Sequence, residues 1–352
     1  MKDIENLARR GLADMEPYLP SPPDGGIKLD ANESPWNLPS SIRLKLIQWL
    51  DDAENLNRYP DTGNTALRGS IARHWEISPS NVTCGVGSDQ LIDMICRVFL
   101  EPGDCVAAFR PTFGMYAATA ELNHGRAVSV PVGYDTRAAQ ELLRAAGENG
   151  AKIIFLCSPN NPTGRAMSDD AIFHVLENAE CVVVLDEAYA DFKGTSFVGR
   201  IAEYPNAIVI RTFSKAYGLA GIRVGYAIAS QAVIRLINKA KPPFNIPAIS
   251  QLLAEWAMDE ADEFASRAKS IAAARDRLME TLAAIDWLDA EPSDANFVLL
   301  TSRFDIAPLL ASGGVRARDF GVRDGIRRVR VTVGTDEENK KVGDLLCAAR
   351  PK

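Results

Sequence analysis

The sequence predicts an α/β fold, in which a large domain has a mostly parallel central sheet covered by helices and a small α/β domain follows. Of the 352 residues, 47% are hydrophobic and 24% are charged, which is typical of a globular protein with a large core. Short runs of β-branched residues alternate with helical patterns through the middle of the chain. The hydrophobic character of these runs is continuous, as in strands that are buried on both faces of a parallel sheet.

The predicted elements follow one another in a regular order. The strands of the large domain are DCVAAF, AVSVPV, KIIFLC, CVVVLDEA, AIVIRTF and VGYAIAS, and the helical patterns YAATAELN, RAAQELLRAAG and DDAIFHVLENA lie among them. Prolines in KPPFNIP end the next helix, and a helical stretch then runs from about residue 249 to residue 285. This stretch is too long for one ordinary helix, so we expect it to break or to link two domains. The tail predicts a small unit of strand NFVLLTS, helix DIAPLLAS, strand RRVRVTVG and helix DEENKKVGDLLCAAR.

Charge and cysteine content restrict the partners and the compartment. With a formal net charge of −7, the chain lacks the basic surplus that general binding to nucleic acid or acidic membranes requires. The cysteines form no CxxC pair and most lie in apolar segments, which favours free thiols in a reducing compartment. They are Cys84, Cys96, Cys105, Cys157, Cys181 and Cys347. The N-terminal sequence shows no signal-peptide core, so we expect a cytoplasmic protein.

Metal and triad chemistry are not expected. The three histidines, His74, His124 and His174, are isolated from one another and from the cysteines. Neither the spacing of a zinc site nor a GxSxG nucleophile motif occurs.

Two turn motifs are candidate ligand sites. In CGVGSDQLIDMI, Gly87, Ser88 and Asp89 open an amphipathic helix, whose free backbone N–H groups and positive dipole end suit a phosphate. An ordinary helix capped by Ser88 explains this stretch equally well. SPNNPTG follows strand KIIFLC, so Asn160 and Asn161 can direct amides at a ligand, although an ordinary loop has the same composition.

Charged residues follow two of the apolar strands. Asp186 and Glu187 end CVVVLDEA, where a carboxylate needs a cation, either a protonated ligand nitrogen or an arginine. Lys215 follows strand AIVIRTF. A nucleophilic lysine at this position needs its pKa lowered from about 10.4 towards 7 or 8 by burial or by nearby positive charge.

The neighbours of Lys215 indicate what it would bind. The hydroxyl residues Thr212 and Ser214 precede it, and Arg223 follows on GLAGIRVG. Two hydroxyl groups and an arginine suit a phosphate. Together with the carboxylate of the preceding strand, they indicate a cofactor with a phosphate, an aldehyde and a basic ring nitrogen.

As a set, the motifs resemble a known family. SPNNPTG, VVVLDEAY and TFSKAYGLAGIRVG occur in the order and at the spacings of the pyridoxal-phosphate aminotransferases of fold type I. LDANESP, NRYPD, GVGSDQLI, PTFGMY, SDANFVL and RVRVTVGTDEEN are similar to motifs of the histidinol-phosphate aminotransferases, a class II subfamily. The resemblance begins near Tyr18 and continues to the C-terminus. It implies an N-terminal arm (1–35) that contributes to the small domain and the active site, a large cofactor-binding domain (36–245) and a small domain (246–352) linked by the long helix.

The resemblance implies roles for the matched residues around pyridoxal 5′-phosphate. Lys215 would hold the cofactor as a Schiff base and later move a proton, and Asp186 would keep the pyridine nitrogen protonated so that the ring accepts electrons. Tyr189 and Asn161 would bond the ring oxygen O3′, and Tyr116 would stack on the ring. The residues around the cofactor phosphate would be Gly87, Ser88, Asp89, Thr212, Ser214, Arg223 and, across the interface of a homodimer, the partner subunit's Tyr59.

The resemblance also implies a substrate. Arg330 would bind the anionic group of either donor, which is the phosphate ester in histidinol phosphate and the carboxylate in glutamate. Arg318, Tyr18 and Asn161 would add contacts to the substrate. The expected reaction is transamination of L-histidinol phosphate with 2-oxoglutarate to imidazole acetol phosphate and L-glutamate, in L-histidine biosynthesis. An aromatic amino acid aminotransferase is the first alternative, and a decarboxylase of a phosphorylated amino acid or a non-catalytic cofactor-binding regulator are the others.

Overall fold

The central feature of the fold is a seven-stranded sheet. The computed structural model describes residues 7–8, 12, 15, 26–51 and 56–349, and the first strand, β1 (Ile27–Leu29), belongs to a second sheet. The strands of the central sheet are β2 (Val82–Gly85), β3 (Cys105–Arg110), β4 (Arg126–Pro131), β5 (Ala151–Cys157), β6 (Val182–Asp186), β7 (Ala207–Thr212) and β8 (Gly225–Ala229). Their order is β2-β8-β7-β6-β5-β3-β4. The pairs from β4 to β7 are all parallel and β8 is antiparallel to both neighbours, so the predicted mostly parallel sheet is confirmed.

Both faces of the central sheet are covered, which explains the continuous hydrophobic runs. Successive residues of a strand point to opposite faces. On β6, Val183 and Leu185 pack in one hydrophobic cluster and Val184 packs in another. On β7, Val209 joins the first cluster and Ile208 joins the second. Since each face needs apolar residues, most positions of both sets are apolar.

Three of the covering helices begin at a side-chain cap. The helices of this part are α1 (Ser40–Asp51), α2 (Thr65–His74), α3 (Gly87–Phe99), α4 (Met115–Leu122), α5 (Thr136–Glu148), α6 (Asp169–Asn178), α7 (Ala190–Lys193) and α8 (Gln231–Ala240). Asp135, Ser168 and Ser230 cap α5, α6 and α8, and each side chain accepts a hydrogen bond from the backbone N–H three residues later. Such caps satisfy N–H groups that have no partner within the helix.

The second sheet joins the N-terminal strand to the tail. The elements after β8 are α9 (Ala248–Asp259), α10 (Ala261–Ala283), β9 (Asp289–Ala290), β10 (Phe297–Ser302), α11 (Ile306–Ser312), β11 (Val315–Arg323), β12 (Ile326–Thr332) and α12 (Asp336–Ala348). The sheet order is β1-β11-β12-β10-β9, and β1 pairs parallel with β11. The long helical stretch breaks at Glu260 into α9 and α10, as predicted. Strand β11 was not predicted, because its apolar residues do not keep one alternation: Val315 and Ala317 fall on odd positions, and Phe320 and Val322 fall on even ones. In the described part of the chain, none of the helices has the length and apolar character that a membrane crossing requires.

Candidate active site

Three of the predicted motifs meet at the carboxyl edge of the central sheet. Because β5, β6 and β7 are parallel neighbours, their carboxyl ends lie side by side. Asn161 follows β5, Asp186 ends β6 and Lys215 follows β7. The start of α3 is tied to the same edge, since the Gly87 N–H donates to the Arg223 carbonyl at 3.1 Å. Ligands of open α/β sheets bind at this edge.

Asp186 is a buried carboxylate held by two hydrogen bonds. Its Oδ2 accepts from the Tyr116 hydroxyl at 2.7 Å, and its Oδ1 accepts from the Ala188 N–H at 3.0 Å. Burial raises the pKa of Asp186 to about 6, and the two hydrogen bonds oppose this shift. A protonated ligand nitrogen beside the carboxylate would offset the cost of its desolvation.

Glu187, the next residue, has an arginine as its partner. Its Oε2 lies 2.6 Å from Nη1 of Arg211, and both side chains are buried. Arg211 also pairs with Asp191 and lies over the ring of Trp75 at 4.9 Å. The sequence indicated an arginine or a ligand nitrogen as the cation. Glu187 pairs with the arginine, whereas Asp186 accepts from the neutral donors described above.

The structure contradicts the predicted role of Tyr116. Its side chain is only 1% exposed, and its ring stacks on Phe155 with 4.6 Å between centroids and 4° between planes. A ring enclosed in this way offers no face to a cofactor. Phe113, three residues earlier in PTFGMY, is partly exposed and contacts Tyr116 edge-on at 5.6 Å. The motif therefore provides two aromatic rings, and the hydroxyl of Tyr116 positions Asp186.

Lys215 has the environment that a nucleophilic lysine requires. Its Nζ donates to the Ala31 carbonyl at 2.9 Å and lies 5.8 Å from the centroid of the Tyr189 ring. Burial, and next the positive charge of Arg330, lower the pKa of Lys215 from 10.5 to about 8. Both effects disfavour the charged form of an amine. They lower the pKa of Lys215 towards the range expected for a nucleophilic lysine.

The start of α3 and the loop after β7 form an anion cradle. The predicted phosphate-binding residues that meet here are Gly87, Ser88, Asp89, Thr212, Ser214 and Arg223. Arg223 donates from Nη1 to the Ser214 hydroxyl and from Nη2 to Asp89 Oδ2, both at 3.3 Å. The Thr212 hydroxyl accepts from the Ser214 N–H at 3.1 Å, which shapes the loop. Gly87 has a φ of +70°, and a Cβ there would come within 2.6 Å of Arg223 Nη2. Glycine is therefore required where the guanidinium meets the helix start.

Arg330 of β12 approaches the site from the second sheet. Its Nη2 donates to the Asp30 carbonyl at 2.7 Å, and its Nη1 donates to Asn161 Oδ1. Its guanidinium carbon is 5.3 Å from the ring centroid of Phe297 and 5.7 Å from that of Phe320. A buried arginine between two aromatic rings is suited to an anionic group of a ligand.

The second predicted arginine is aligned with the first. Arg318 of β11 stands directly opposite Arg330 in the antiparallel β11–β12 pair. Directly opposite residues project from the same face of a sheet. The sequence left the register between these two arginines open, and the pairing places both on one face.

Two further tyrosines, Tyr18 and Tyr59, were predicted to contact the substrate and the cofactor phosphate. Tyr18 lies outside the described residues. Tyr59 is 81% exposed, and its ring stacks on Phe244 with 4.5 Å between centroids. Such a large exposed aromatic surface is compatible with the predicted reach into a second subunit.

Of the two amides in SPNNPTG, Asn161 is the one that contacts another site residue. Asn160 is buried and stays within the loops: its Oδ1 accepts from the Thr112 hydroxyl at 2.7 Å, and its Nδ2 donates to the Pro111 carbonyl and to Thr163. Asn160 therefore fixes the loop that presents Asn161.

The motif LDANESP contributes residues to which sequence reasoning assigned no role. The carbonyls of Asp30 and Ala31 accept from Arg330 and Lys215, and Nδ2 of Asn32 donates to the Tyr189 hydroxyl at 2.9 Å. The motif itself was a signal, since it was part of the family resemblance. Its contacts join residues at least 157 positions apart, which no local pattern reveals.

Comparisons with known proteins identify the family of the chain. The family model for aminotransferase class I and II matches residues 24–345. A histidinol-phosphate aminotransferase from Ruminiclostridium cellulolyticum is 39% identical, with 98% of each chain covered, and one from Roseiflexus castenholzii is 37% identical, with 97% of this chain and 98% of the relative covered. The crystal structure of histidinol-phosphate aminotransferase from Sinorhizobium meliloti in complex with pyridoxal-5′-phosphate is 29% identical, with a TM-score of 0.83 over 91% of this chain and 89% of that chain. This chain therefore belongs to the class I and II aminotransferases and, within them, to the histidinol-phosphate aminotransferases.

Proposed function

We propose that the protein transfers the amino group of L-histidinol phosphate to 2-oxoglutarate, giving imidazole acetol phosphate and L-glutamate, in L-histidine biosynthesis. Its cofactor is pyridoxal 5′-phosphate. The observation that carries the proposal is the meeting of a lysine with a lowered pKa, a buried carboxylate and an anion cradle at one sheet edge. Family membership supports the same reaction.

The residues present fit this cofactor. The cradle around Arg223 would take its phosphate, because the first backbone N–H groups of α3 lack acceptors within the helix and the dipole end is positive. Asp186 would meet its ring nitrogen, and Lys215 would meet its aldehyde. Gly87 suits the turn of the cradle, since its φ of +70° is a conformation that residues with a side chain rarely adopt.

The reaction divides among the residues of the edge. When bound, pyridoxal phosphate supplies an aldehyde for amines and a ring that accepts electrons. Lys215 would bind the cofactor through Nζ, because a pKa near 8 leaves part of the amine unprotonated at neutral pH. When not bound to the cofactor, Nζ would hold and move the proton of the substrate carbon. Lys215 is thus both the attachment point and the acid–base group.

Asp186, Tyr189 and Asn161 would orient the ring. Asp186 would hold a proton on the pyridine nitrogen, and the Tyr116 hydroxyl keeps its carboxylate in place. Asn161 already accepts from Arg330 through Oδ1, which leaves its Nδ2 to donate to O3′ beside the Tyr189 hydroxyl. Phe113, rather than Tyr116, would provide the aromatic face over the ring.

Arg330 and Arg318 would select the substrate. Arg330 would bind the carboxylate of glutamate or the phosphate ester of histidinol phosphate, and Arg318 would add a contact to the larger phosphate. Tyr18 would add a further contact to the substrate phosphate. Phe320 is exposed next to Arg330, which favours an aromatic amino acid as the second candidate donor.

The active unit would be a homodimer in the cytoplasm, with the partner subunit's Tyr59 at the cofactor phosphate. Three apolar side chains of α1, Leu44, Ile47 and Leu50, are exposed at a spacing that places them on one face. An exposed apolar face of this kind is typical of a protein interface.

The free cysteines are compatible with a reducing compartment. The proposed division remains an arm over 1–35, a cofactor domain over 36–245 and a small domain over 246–352.

A half-reaction tests the function. The protein is loaded with pyridoxal phosphate, L-histidinol phosphate or phenylalanine is added separately, and the visible absorption band is followed. Rapid loss of the band at low histidinol phosphate, with formation of imidazole acetol phosphate, is expected. Faster reaction with phenylalanine would assign the protein to the aromatic aminotransferases instead. Release of carbon dioxide from a phosphorylated amino acid would favour a decarboxylase.

A further inference from the structure

A chain of buried hydrogen bonds connects β12 to the catalytic Tyr189 through Asn32. The Asn32 N–H donates to the Thr332 hydroxyl at 2.9 Å, and the Thr332 hydroxyl lies 3.4 Å from Asn32 Oδ1. Nδ2 of Asn32 donates to the Tyr189 hydroxyl at 2.9 Å, and the Asn32 carbonyl accepts from Asn296 at 3.1 Å. Asn32, Tyr189, Asn296 and Thr332 are each at most 4% exposed. Buried polar groups in such a network have no water to replace a lost partner.

The side-chain hydrogen bonds of this network run from Thr332 through Asn32 to Tyr189, each residue donating to the next. Because Thr332 accepts from the Asn32 backbone, its own hydrogen is free for Asn32 Oδ1, which fixes the amide with Nδ2 towards Tyr189. The oxygen of Tyr189 then serves as an acceptor on that side. Its hydrogen remains for another acceptor.

Asparagine suits this position for two reasons. The backbone of Asn32 has a φ of +53°, in the left-handed region that asparagine tolerates better than most residues. Its amide also combines an acceptor for Thr332 with a donor for Tyr189. Aspartate would tolerate the backbone but could not donate.

We propose that Asn32 is a positioning residue that directs the Tyr189 hydroxyl proton at ring oxygen O3′ of the cofactor. The inference rests on the proposed function. Residues 30, 31 and 32 contact Arg330, Lys215 and Tyr189 in turn, and Thr332 lies two residues after Arg330 on β12. The strand that holds the substrate arginine thereby holds the hydroxyl that tunes the cofactor.

The proposal has a spectroscopic consequence. Donation from Tyr189 withdraws negative charge from O3′, and a less negative oxygen makes the neighbouring lysine-linked nitrogen harder to protonate. Removing the Asn32 amide weakens this donation, because hydrogen bonds in a chain polarise one another. The pH midpoint at which the bound cofactor changes its visible band should therefore rise. The titratable and charged groups around the Tyr189 hydroxyl are Lys215, Arg330, Asp186 and Cys157, and the variants below alter none of them.

The test is a double-mutant cycle on the cofactor-loaded, full-length protein without substrate. Asn32→Gly keeps the left-handed backbone and removes the amide. We expect the midpoint of the visible band to rise by about half a pH unit in Asn32→Gly. In a Tyr189→Phe background the same change should have no effect, because the hydroxyl through which Asn32 acts is absent. A shift of equal size in both backgrounds, or no shift with Tyr189 intact, would overturn the inference.

A second pair of variants covers poor folding of Asn32→Gly. Thr332→Val removes the hydroxyl at nearly constant shape and should raise the midpoint in the same direction, whereas Thr332→Ser retains the hydroxyl and should restore the normal midpoint. Identical midpoints in Val and Ser variants would count against the network. If the unmodified protein shows no cofactor band, both the proposed function and this inference are overturned. If the band is normal but its pH midpoint is unchanged in the Asn32 and Thr332 variants, only this inference is overturned.

Discussion

At the scale of single residues, Asp186 illustrates how a binding site opposes stability. Its pKa rises from 3.8 to about 6 because the folded protein buries it. Between these values the folded state binds more protons than the unfolded state, so the burial penalty is complete above pH 6 and disappears as the pH falls towards 4. The shift corresponds to about 3 kcal/mol. In the absence of the cofactor, this carboxylate therefore destabilises the protein at neutral pH.

Replacing Asp186 with asparagine should stabilise the cofactor-free protein and impair the reaction. We expect Asp186→Asn to raise its unfolding free energy at pH 7 by up to about 3 kcal/mol, with a smaller gain at pH 5. Amino transfer should fall about 10- to 150-fold, as for loss of a charge-assisted bond of about 1.5–3 kcal/mol. Denaturant unfolding and the half-reaction measure the two effects, and Asp286→Asn, at an exposed carboxylate, is the control. A variant with normal amino transfer would remove Asp186 from the mechanism.

The lowered pKa of Lys215 should appear in the pH dependence of cofactor uptake. The amine loses its proton as the pH rises through about 8, so uptake by the cofactor-free protein should accelerate about tenfold per pH unit below 8 and then level off. Stopped-flow absorbance between pH 6 and pH 9 measures this profile. A rate that still climbs at pH 9 would indicate an ordinary lysine.

Lys215→Ala should fold with an unchanged circular dichroism spectrum and lose at least about 10²–10⁴-fold in turnover.

At the scale of elements, the register of the β11–β12 hairpin bears on the anionic groups that the proposed site would accept. Its register places Arg318 opposite Arg330, so two guanidinium groups lie on one face. Under the proposed function, Arg330 alone would suffice for a carboxylate. A phosphate ester has more oxygen acceptors and a larger charge, so it should gain more from the second arginine.

Arg318→Ala should therefore separate the two donors. We expect kcat/KM for histidinol phosphate to fall about 10- to 150-fold, which corresponds to about 1.5–3 kcal/mol, while phenylalanine changes less than about twofold. Steady-state kinetics with both donors measure this difference. Arg323→Ala is the matched control, since Arg323 is exposed on the same strand and pairs with Asp324. Equal losses for both donors would contradict a phosphate role for Arg318.

At the scale of the whole molecule, the exposed apolar face of α1 bears on assembly. Ile47 lies at its centre, between Leu44 and Leu50. If a second copy covers this face, Ile47→Glu buries a charge and should weaken the dimer at least about tenfold. Gln140→Glu, at an exposed position of α5, is the control. Analytical ultracentrifugation measures the assembly, and cofactor affinity should fall with it because of the Tyr59 contact. A dimer that tolerates Ile47→Glu would place the interface elsewhere.

The sequence was sufficient to predict elements whose signals are local. Continuous apolar runs predicted the covered strands, and Asp186 and Lys215 could be placed because they directly follow such runs. Parallel strands align their carboxyl ends, so the meeting of these residues followed from the fold class. Strand β11 was not predicted because its apolar residues change from odd to even positions at the irregularity between Asp319 and Val322.

What the tertiary structure decided are contacts between distant parts of the chain. The sequence offered Glu187 two kinds of partner, and the pairing of β6 with β7 brought Arg211 to it. The sequence was compatible with a stacking role for Tyr116, but its hydroxyl donates to Asp186, 70 positions away. The link from Asn32 to Thr332 spans 300 positions. By itself, the sequence determined the fold class, the family and the residue types of the site, because hydrophobic period and motif spacing are local; partners and orientations depend on strand order and register, which only the packed molecule specifies.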